Sequence, residues 1–570
     1  MLDHSPLNLI AIRACIILLG HAPLIELGLL STIVLARTIG LLPPSSKSYL
    51  ISIYTLAFLL TLELVFYIFL YRRHLHRIKD DAEHPAALTR PQREELFEKC
   101  ALNIPDAEEY IRQWFLGAPL EDIRRDNVRE FILWAFFDRH DSTDGKRPIQ
   151  GPGPEDDDVT DELESYIART EELLGRPFRP GRGPAKSLRL TLDAVEQKRR
   201  SLLWYVIVAG IDLTTHTCLA RDGFRYYGQP LRKSLAVFPP RVQAVTTWLP
   251  FPGARRYQSP SEEMGYWFRP HTAKNARPVV FIHGIGVGLW PYTRFLNEIG
   301  RPTGTMTGSK DADKGQIGVI ALEILPISTR LTSPPLRREA FLSALQTILS
   351  AHAADWGDEG FVLVSHSYGS VLTTHVVRSP ELGPQVRGVV LIDPVSLLLH
   401  LPGVAYNFTR RQPRTANEWQ LWFFASMDVG IAEGLGRHFF WRENEVWKEE
   451  LVGQGPGAPK TGKRKVAVCL GGRDLIVDTH TVAKYLARRG DIRNSDKSEE
   501  EEVEGLYGRR QGSTLVTPRR PQCDKYLAPS GVEILWFPSL DHAQVFDLLE
   551  DRQQLLAVIR EYCTIGSLDP

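Results

Sequence analysis

The chain has 570 residues, too many for one ordinary domain, and its 43% hydrophobic and 24% charged content is that of a globular body. Its 68 basic and 68 acidic residues cancel, which excludes a global electrostatic pull toward nucleic acid or an acidic substrate. Six scattered cysteines, with no CxxC pair and no nearby Cys/His cluster along the chain, exclude a zinc-finger spacing and a disulfide framework and fit a reducing compartment.

Residues 1–79 read as a membrane anchor. The run Tyr49 to Tyr71 carries Glu63 as its only charge and would span roughly 35 Å as a helix, enough for a hydrocarbon core of about 30 Å. Tyrosines lie near both of its ends, where amphipathic rings prefer the interface. An earlier apolar stretch, residues 8–40, contains Arg13, His21, Pro23 and Glu26, so it reads either as a second, kinked span or as a re-entrant piece. Arg72, Arg73, Arg77 and Lys79 follow the main span, against only Arg37 and Lys47 in the loop before it. That asymmetry places the rest of the chain on the cytosolic side.

Residues 80–138 read as helical, with mixed charged and apolar faces. The aromatic pairs Trp114–Phe115 and Phe136–Phe137, with Trp134, are expected to serve a core rather than a membrane surface. Residues 139–158, rich in Gly and Pro and ending in an acidic run, read as a linker. A helical region and extended lead-in follow over 159–274. Within it, a long helical stretch is expected over 188–227, with an apolar middle, LLWYVIVAGIDL, too short to span.

From residue 275 the texture changes. Near-continuous β-branched runs (PVVFIHG, QIGVIALEI, GFVLVSH, VRGVVLID, RKVAVCLGG, VEILWFP) alternate with helical stretches. This pattern predicts an α/β class with a mostly parallel sheet covered by helices on both faces. Two insertions interrupt it. Residues 395–455 are rich in Trp and Phe, and residues 489–528 contain an acidic run expected to be a disordered loop.

Chemistry on such a sheet gathers at the carboxyl ends of the strands. After GFVLV comes Ser365-His366-Ser367-Tyr368-Gly369-Ser370, then a helical run. A nucleophile on such a strand–turn–helix needs small residues two before and two after it, where strand and helix nearly touch. Ser367 has Ser365 and Gly369 in those places, whereas Ser365 and Ser370 have leucine or tyrosine there. A Gly-rich turn, His283-Gly284-Ile285-Gly286, follows an earlier strand and can aim backbone N–H groups at a developing oxyanion. Asp474 and His542 each lie just beyond a later strand, and the order Ser, Asp, His is the triad order of one known architecture. Asp393 and Asp478 stand in similar places and remain alternatives for the acid.

These features make residues 275–565 resemble the α/β-hydrolase superfamily. The resemblance rests on the HGxG turn, the SxSxG turn, GGRDLIV and the late histidine before a helix. With apolar segments in front, the whole arrangement is similar to membrane-anchored fungal α/β-hydrolase-domain proteins. The resemblance implies Ser367 as nucleophile, His542 as base then acid, and Asp474 as its orienter. It further implies an oxyanion hole from the backbone N–H groups of Ile285 and Tyr368, and a cap over the site formed by residues 395–455. His283, Gly284, Gly286 and Gly369 would support the two turns. The expected activity is a membrane-anchored serine hydrolase acting on a lipid or other hydrophobic carboxylic ester, with neither metal nor organic cofactor. Alternatives on the same scaffold are an acyltransferase, a thioesterase or a non-catalytic binding protein.

Overall fold

The computed structural model of the chain describes all residues except 1–4, 42–46, 140–155, 245–256, 301–314, 358, 460–461, 489–522 and 566–570. Among the described residues nine strands form one sheet. They are β1 (Arg225–Tyr227), β2 (Tyr266–Arg269), β3 (Val279–Ile282), β4 (Val319–Leu322), β5 (Phe361–His366), β6 (Val386–Ile392), β7 (Lys465–Gly471), β8 (Asp524–Leu527) and β9 (Val532–Phe537). Their order is β1-β2-β4-β3-β5-β6-β7-β9-β8. All neighbours from β4 through β9 pair parallel; β1, β2 and β8 pair antiparallel at the two edges.

The six apolar runs of the sequence are the six parallel strands, and their composition explains their place. Val280, Ile282, Leu363, Leu391 and Val468 point into one core; their neighbours Val279, Phe281, Val362, Val390 and Ala467 point into a second on the opposite face. With a side-chain period of two and both faces covered, every position must be apolar. One face is covered by helices Arg338–Ala351, Gly369–Arg378 and Thr479–Ala487, the other by Thr293–Ile299 and Leu549–Cys563.

The stretch 188–227 is not one helix. Residues 192–201 run without regular structure, the helix is Leu202–Arg221, and β1 follows. The sheet therefore begins before the boundary expected at 275, because β1 and β2 add antiparallel strands beside β4. The expected linker 139–158 falls outside the described residues between 140 and 155, and its end already belongs to helix Asp156–Leu174. The expected loop 489–528 lies outside them as far as 522; Asp524–Leu527 then forms edge strand β8.

Among the described residues three helices are long and apolar enough to cross a membrane: Pro6–Thr38, Ser48–Arg77 and Leu202–Arg221. The first two pack side by side, and both are held to the body by specific bonds. Pro23 has no N–H, so the Leu19 carbonyl one turn earlier lacks its helical partner. Ser201 supplies two donors there, its N–H at 3.2 Å and its hydroxyl at 2.6 Å. Glu63 accepts from the Leu202 N–H at 2.7 Å and from Arg199 at 2.8 Å. The only charge in the main apolar run is thus a docking point for the body.

Helix Leu202–Arg221 carries its own tether. Asp212, 3% exposed, pairs with the buried guanidinium of Arg330 and lies 3.6 Å from that of Arg241, which in turn pairs with Glu323 at 2.6 Å. The opposite ridge, Leu203, Val206, Ile207 and Leu213, is exposed.

Candidate active site

The elbow after β5 is held from several sides. Ser367 has φ of 52°, a left-handed conformation uncommon for a residue with a side chain, and its N–H donates to the Ile392 carbonyl at 2.9 Å. Gly369 has no room for anything larger, since a Cβ would sit 2.5 Å from the Ile282 carbonyl oxygen. Gly284 is constrained likewise: a Cβ there would lie 2.8 Å from both the Ser367 Cβ and the His366 ring. Two glycines therefore let β3, its turn and the elbow approach to contact distance.

Each serine of the turn has its own task. The Ser365 hydroxyl, fully buried, accepts from the Thr373 hydroxyl at 2.8 Å and so ties strand to helix. The Ser370 hydroxyl donates to the Ser367 carbonyl at 2.7 Å and accepts from the N–H groups of Val395 and Ser396, at 3.1 and 3.2 Å. The Ser367 hydroxyl donates to His542 Nε2 at 2.9 Å, and His542 Nδ1 donates to Asp474 Oδ2 at 2.7 Å. The other Asp474 oxygen accepts from the N–H groups of Ile476 and Val477, at 2.8 and 2.9 Å, which locks the carboxylate plane.

The alternative acids do different work. Asp393 does not take up the imidazole; it accepts from the Gly471 N–H at 3.1 Å and the Ala543 N–H at 2.8 Å, clamping the ends of β6, β7 and the histidine loop together. Burial and the nearby Asp474 charge push its carboxyl up to about 7. Asp478 caps helix Thr479–Ala487 through the Thr481 N–H at 3.1 Å. Burial pulls the His542 imidazole down, but the charges of Asp474, Asp393 and Asp541 more than offset it and push it up to about 9.

His283 closes the glycine turn. Its Nδ1 donates to the Gly284 carbonyl at 2.8 Å, and its Nε2 accepts from the Ile324 N–H at 3.0 Å. Burial pushes its imidazole down to about 4, so both roles are those of the neutral ring. Gly286 has φ of 152° and donates to the Ile327 carbonyl at 3.1 Å. Ile285 and Tyr368 line the same cavity as Ser367.

Three residues of this site carry no signal in the sequence. Tyr292 accepts from the Gly284 N–H at 3.3 Å and bonds His366 Nδ1 at 2.8 Å, joining the two turns. Asn417, in the cap, donates to Asp541 Oδ2 at 2.6 Å. Asp541 Oδ1 accepts from the N–H groups of Leu475 and His542, at 3.0 and 2.7 Å, so the cap is bonded to both triad loops.

Ser367 opens onto a cavity beneath the cap. The cap contributes Phe408, Phe439, Phe440 and Trp441 to its wall, and the helical region 80–138 contributes Trp114 and Trp134. The indole N–H groups of this wall are all bonded: Trp114 to the His400 carbonyl at 3.2 Å, Trp134 to the Thr191 hydroxyl at 3.0 Å, and Trp441 to the Ala135 carbonyl at 3.0 Å. The wall is mostly apolar, and Asp138, Thr191, Thr409 and Arg442 also line it. Three other cap aromatics meet the apolar helices: Arg13 stacks over Trp419, Gly20 lies against Phe423, and Phe424 packs on Trp204 of helix Leu202–Arg221.

Residues 279–506 match the sequence model of the alpha/beta hydrolase family. The chain's sheet and flanking helices have the α/β-hydrolase fold. The match takes in Ser367 and Asp474 and stops short of His542. No curated protein sequence matches the chain. Among solved structures, the chain is similar to a membrane phospholipase A described as a bacterial virulence factor. That likeness has 12% identity and a TM-score of 0.31, covering 63% of this chain and 94% of the other. A putative aryl esterase from Burkholderia cenocepacia shares 12% identity with a TM-score of 0.28, over 52% and 95% of the two chains. A carboxylesterase from Bacillus subtilis shares 11% identity with a TM-score of 0.28, over 63% and 99%. Likenesses this distant say nothing about substrate.

Proposed function

We propose that this α/β-hydrolase is a membrane-anchored serine esterase that cleaves a carboxylic ester with a large apolar acyl group. The observation that carries the reading is the continuous bond chain Ser367–His542–Asp474 opening onto a mostly apolar cavity. In this reading His542 Nε2 takes the Ser367 proton as the oxygen attacks the ester carbonyl, and the Tyr368 and Ile285 N–H groups hold the oxyanion. The imidazolium then protonates the departing alcohol. Water, deprotonated by His542, releases the acid and restores Ser367.

Anchoring follows from helices Pro6–Thr38 and Ser48–Arg77 as a hydrophobic pair, with the body on the cytosolic side by the charge of Arg72 and Arg73. Helix Leu202–Arg221 does not cross in this reading. Asp212 is bonded inside the body, and the exposed ridge of Leu203, Val206, Ile207 and Leu213 rests on the lipid surface.

The test is labelling of the full chain, in its membrane, by a fluorophosphonate probe. Wild type should label and Ser367→Ala should not, while Ser370→Ala, which leaves Ser367 in place, still labels. An unlabelled but folded wild type, or equal labelling of Ser367→Ala, overturns the esterase reading. Protease protection of the body in intact vesicles overturns the orientation.

A further inference from the structure

A second cluster of chemically capable side chains lies buried beneath the cavity wall. Cys100, His400 and Glu445 are 3%, 3% and 1% exposed, and one ligand atom of each lies within 4.8 Å of those of the others. They come from segments far apart in the chain: Cys100 from helix Arg90–Leu102, His400 from the loop after β6, Glu445 from the residue after helix Trp441–Asn444. The esterase chemistry uses none of them.

The cluster is not satisfied by the protein alone. His400 Nδ1 meets Glu445 Oε1 at 2.5 Å, but His400 Nε2 and Glu445 Oε2 are buried with no partner. An unmet buried carboxylate oxygen is costly. The nearest lysine does not help: Lys99 turns outward, over the Trp447 ring at 4.5 Å and toward Glu449 at 3.6 Å.

We infer that Cys100, His400 and Glu445 form a site for a zinc-class divalent cation. A thiolate, an imidazole and a carboxylate together suit Zn²⁺ or Co²⁺, whereas the thiolate disfavours the hard ions Mg²⁺ and Ca²⁺. Ligands at about 2.0–2.3 Å from a tetrahedral ion lie roughly 3.3–3.8 Å apart, within the spread of the three atoms here. Binding would displace the Cys100 thiol proton, so that a thiolate, the Glu445 carboxylate and the neutral His400 ring set two negative ligands against two positive charges. The fourth position falls to a water. Its role is to fasten the helical region 80–138 to the cap. The His400 carbonyl accepts from Trp114, and Trp114 and Leu399 both line the cavity, so the ion would stiffen the wall that holds the acyl group.

The test needs no substrate. The full chain is purified in detergent without chelator, and its metal is counted by elemental mass spectrometry. One zinc per chain is expected, lost in Cys100→Ala and in His400→Ala but retained in Ser367→Ala. Loading with Co²⁺ should give a thiolate-to-cobalt charge-transfer band that is absent in Cys100→Ala. Should either variant fail to fold, wild type still decides. A wild type that contains no zinc and shows no thiolate band on Co²⁺ addition, or a Cys100→Ala protein with undiminished zinc, overturns the site. Those results would leave a plain buried His400–Glu445 pair, and would leave the reading of Ser367 untouched.

Discussion

Ser365→Gly tests whether the serine in this turn is more than a small residue. The substitution restores the residue type that elbow turns more commonly carry, yet it removes a fully buried hydroxyl that accepts from Thr373 at 2.8 Å. Losing one such bond costs about 0.5–1.5 kcal/mol, the lower part of that range here because Thr373 keeps a weaker bond to the Gly369 carbonyl at 3.3 Å. Glycine inside a strand adds about 0.5–1 kcal/mol through its greater freedom in the unfolded chain. The expected loss is therefore about 1–2 kcal/mol, read as a lower denaturation midpoint of the full chain in detergent by tryptophan fluorescence. Because both flanking positions remain small, the rate of fluorophosphonate labelling should not change. A double-mutant cycle with Thr373→Val isolates the hydroxyl pair and should return a coupling of about 0.5–1 kcal/mol. Additive single losses, or a Ser365→Gly protein that no longer labels, would refute the reasoning.

With His542 near 9, the free base is scarce at neutrality, so kcat/KM on a soluble ester should climb about tenfold per pH unit and level off near pH 9. Asp474→Asn removes the nearest raising charge; the acid limb should move down in pH while the rate falls by roughly 10⁴-fold. The same shift affects stability. A raised imidazole stabilises the fold fully below its ordinary value of about 6.5, and that contribution is lost as pH rises through about 9. Wild type should thus lose melting temperature across that window more than Asp474→Asn does. Asp212→Leu would leave Arg330 buried without its carboxylate and should cost about 3–5 kcal/mol, whereas Val206→Ser on the exposed ridge should leave the detergent-solubilised protein as stable as wild type. An unaffected midpoint for Asp212→Leu would undo the docking of that helix.

The parallel strands were legible because burial on both faces leaves no choice of residue, and each appears as an unbroken apolar run. The tight turn at Ser367 was legible for a related reason: the close approach that excludes a Cβ at Gly369 is a steric demand visible in residue size alone. Choosing among Asp393, Asp474 and Asp478 was not, since all three follow strands or turns and only the third dimension shows which faces the ring. β1 escaped because it is only three residues long and begins a few residues after the preceding helix ends. The cavity wall from Trp114 and Trp134 was hidden by chain distance, more than two hundred residues ahead of the elbow. The cysteine count argued against clustered ligands along the chain, and could not see that folding brings Cys100 to His400 and Glu445.

The bonds from Ser201 to Leu19 and from Asn417 to Asp541 change what the N-terminal helices are. They are commonly the first part to be cut away when a soluble version of such a protein is wanted. Here the cap leans on helix Pro6–Thr38 with one side and holds the histidine loop with the other. A chain begun after residue 80 would lose the floor beneath its own lid, and its kinetics would describe a differently assembled catalyst. The N-terminal apolar helices belong to the architecture that closes over Ser367, and the intact chain is the unit whose activity has meaning.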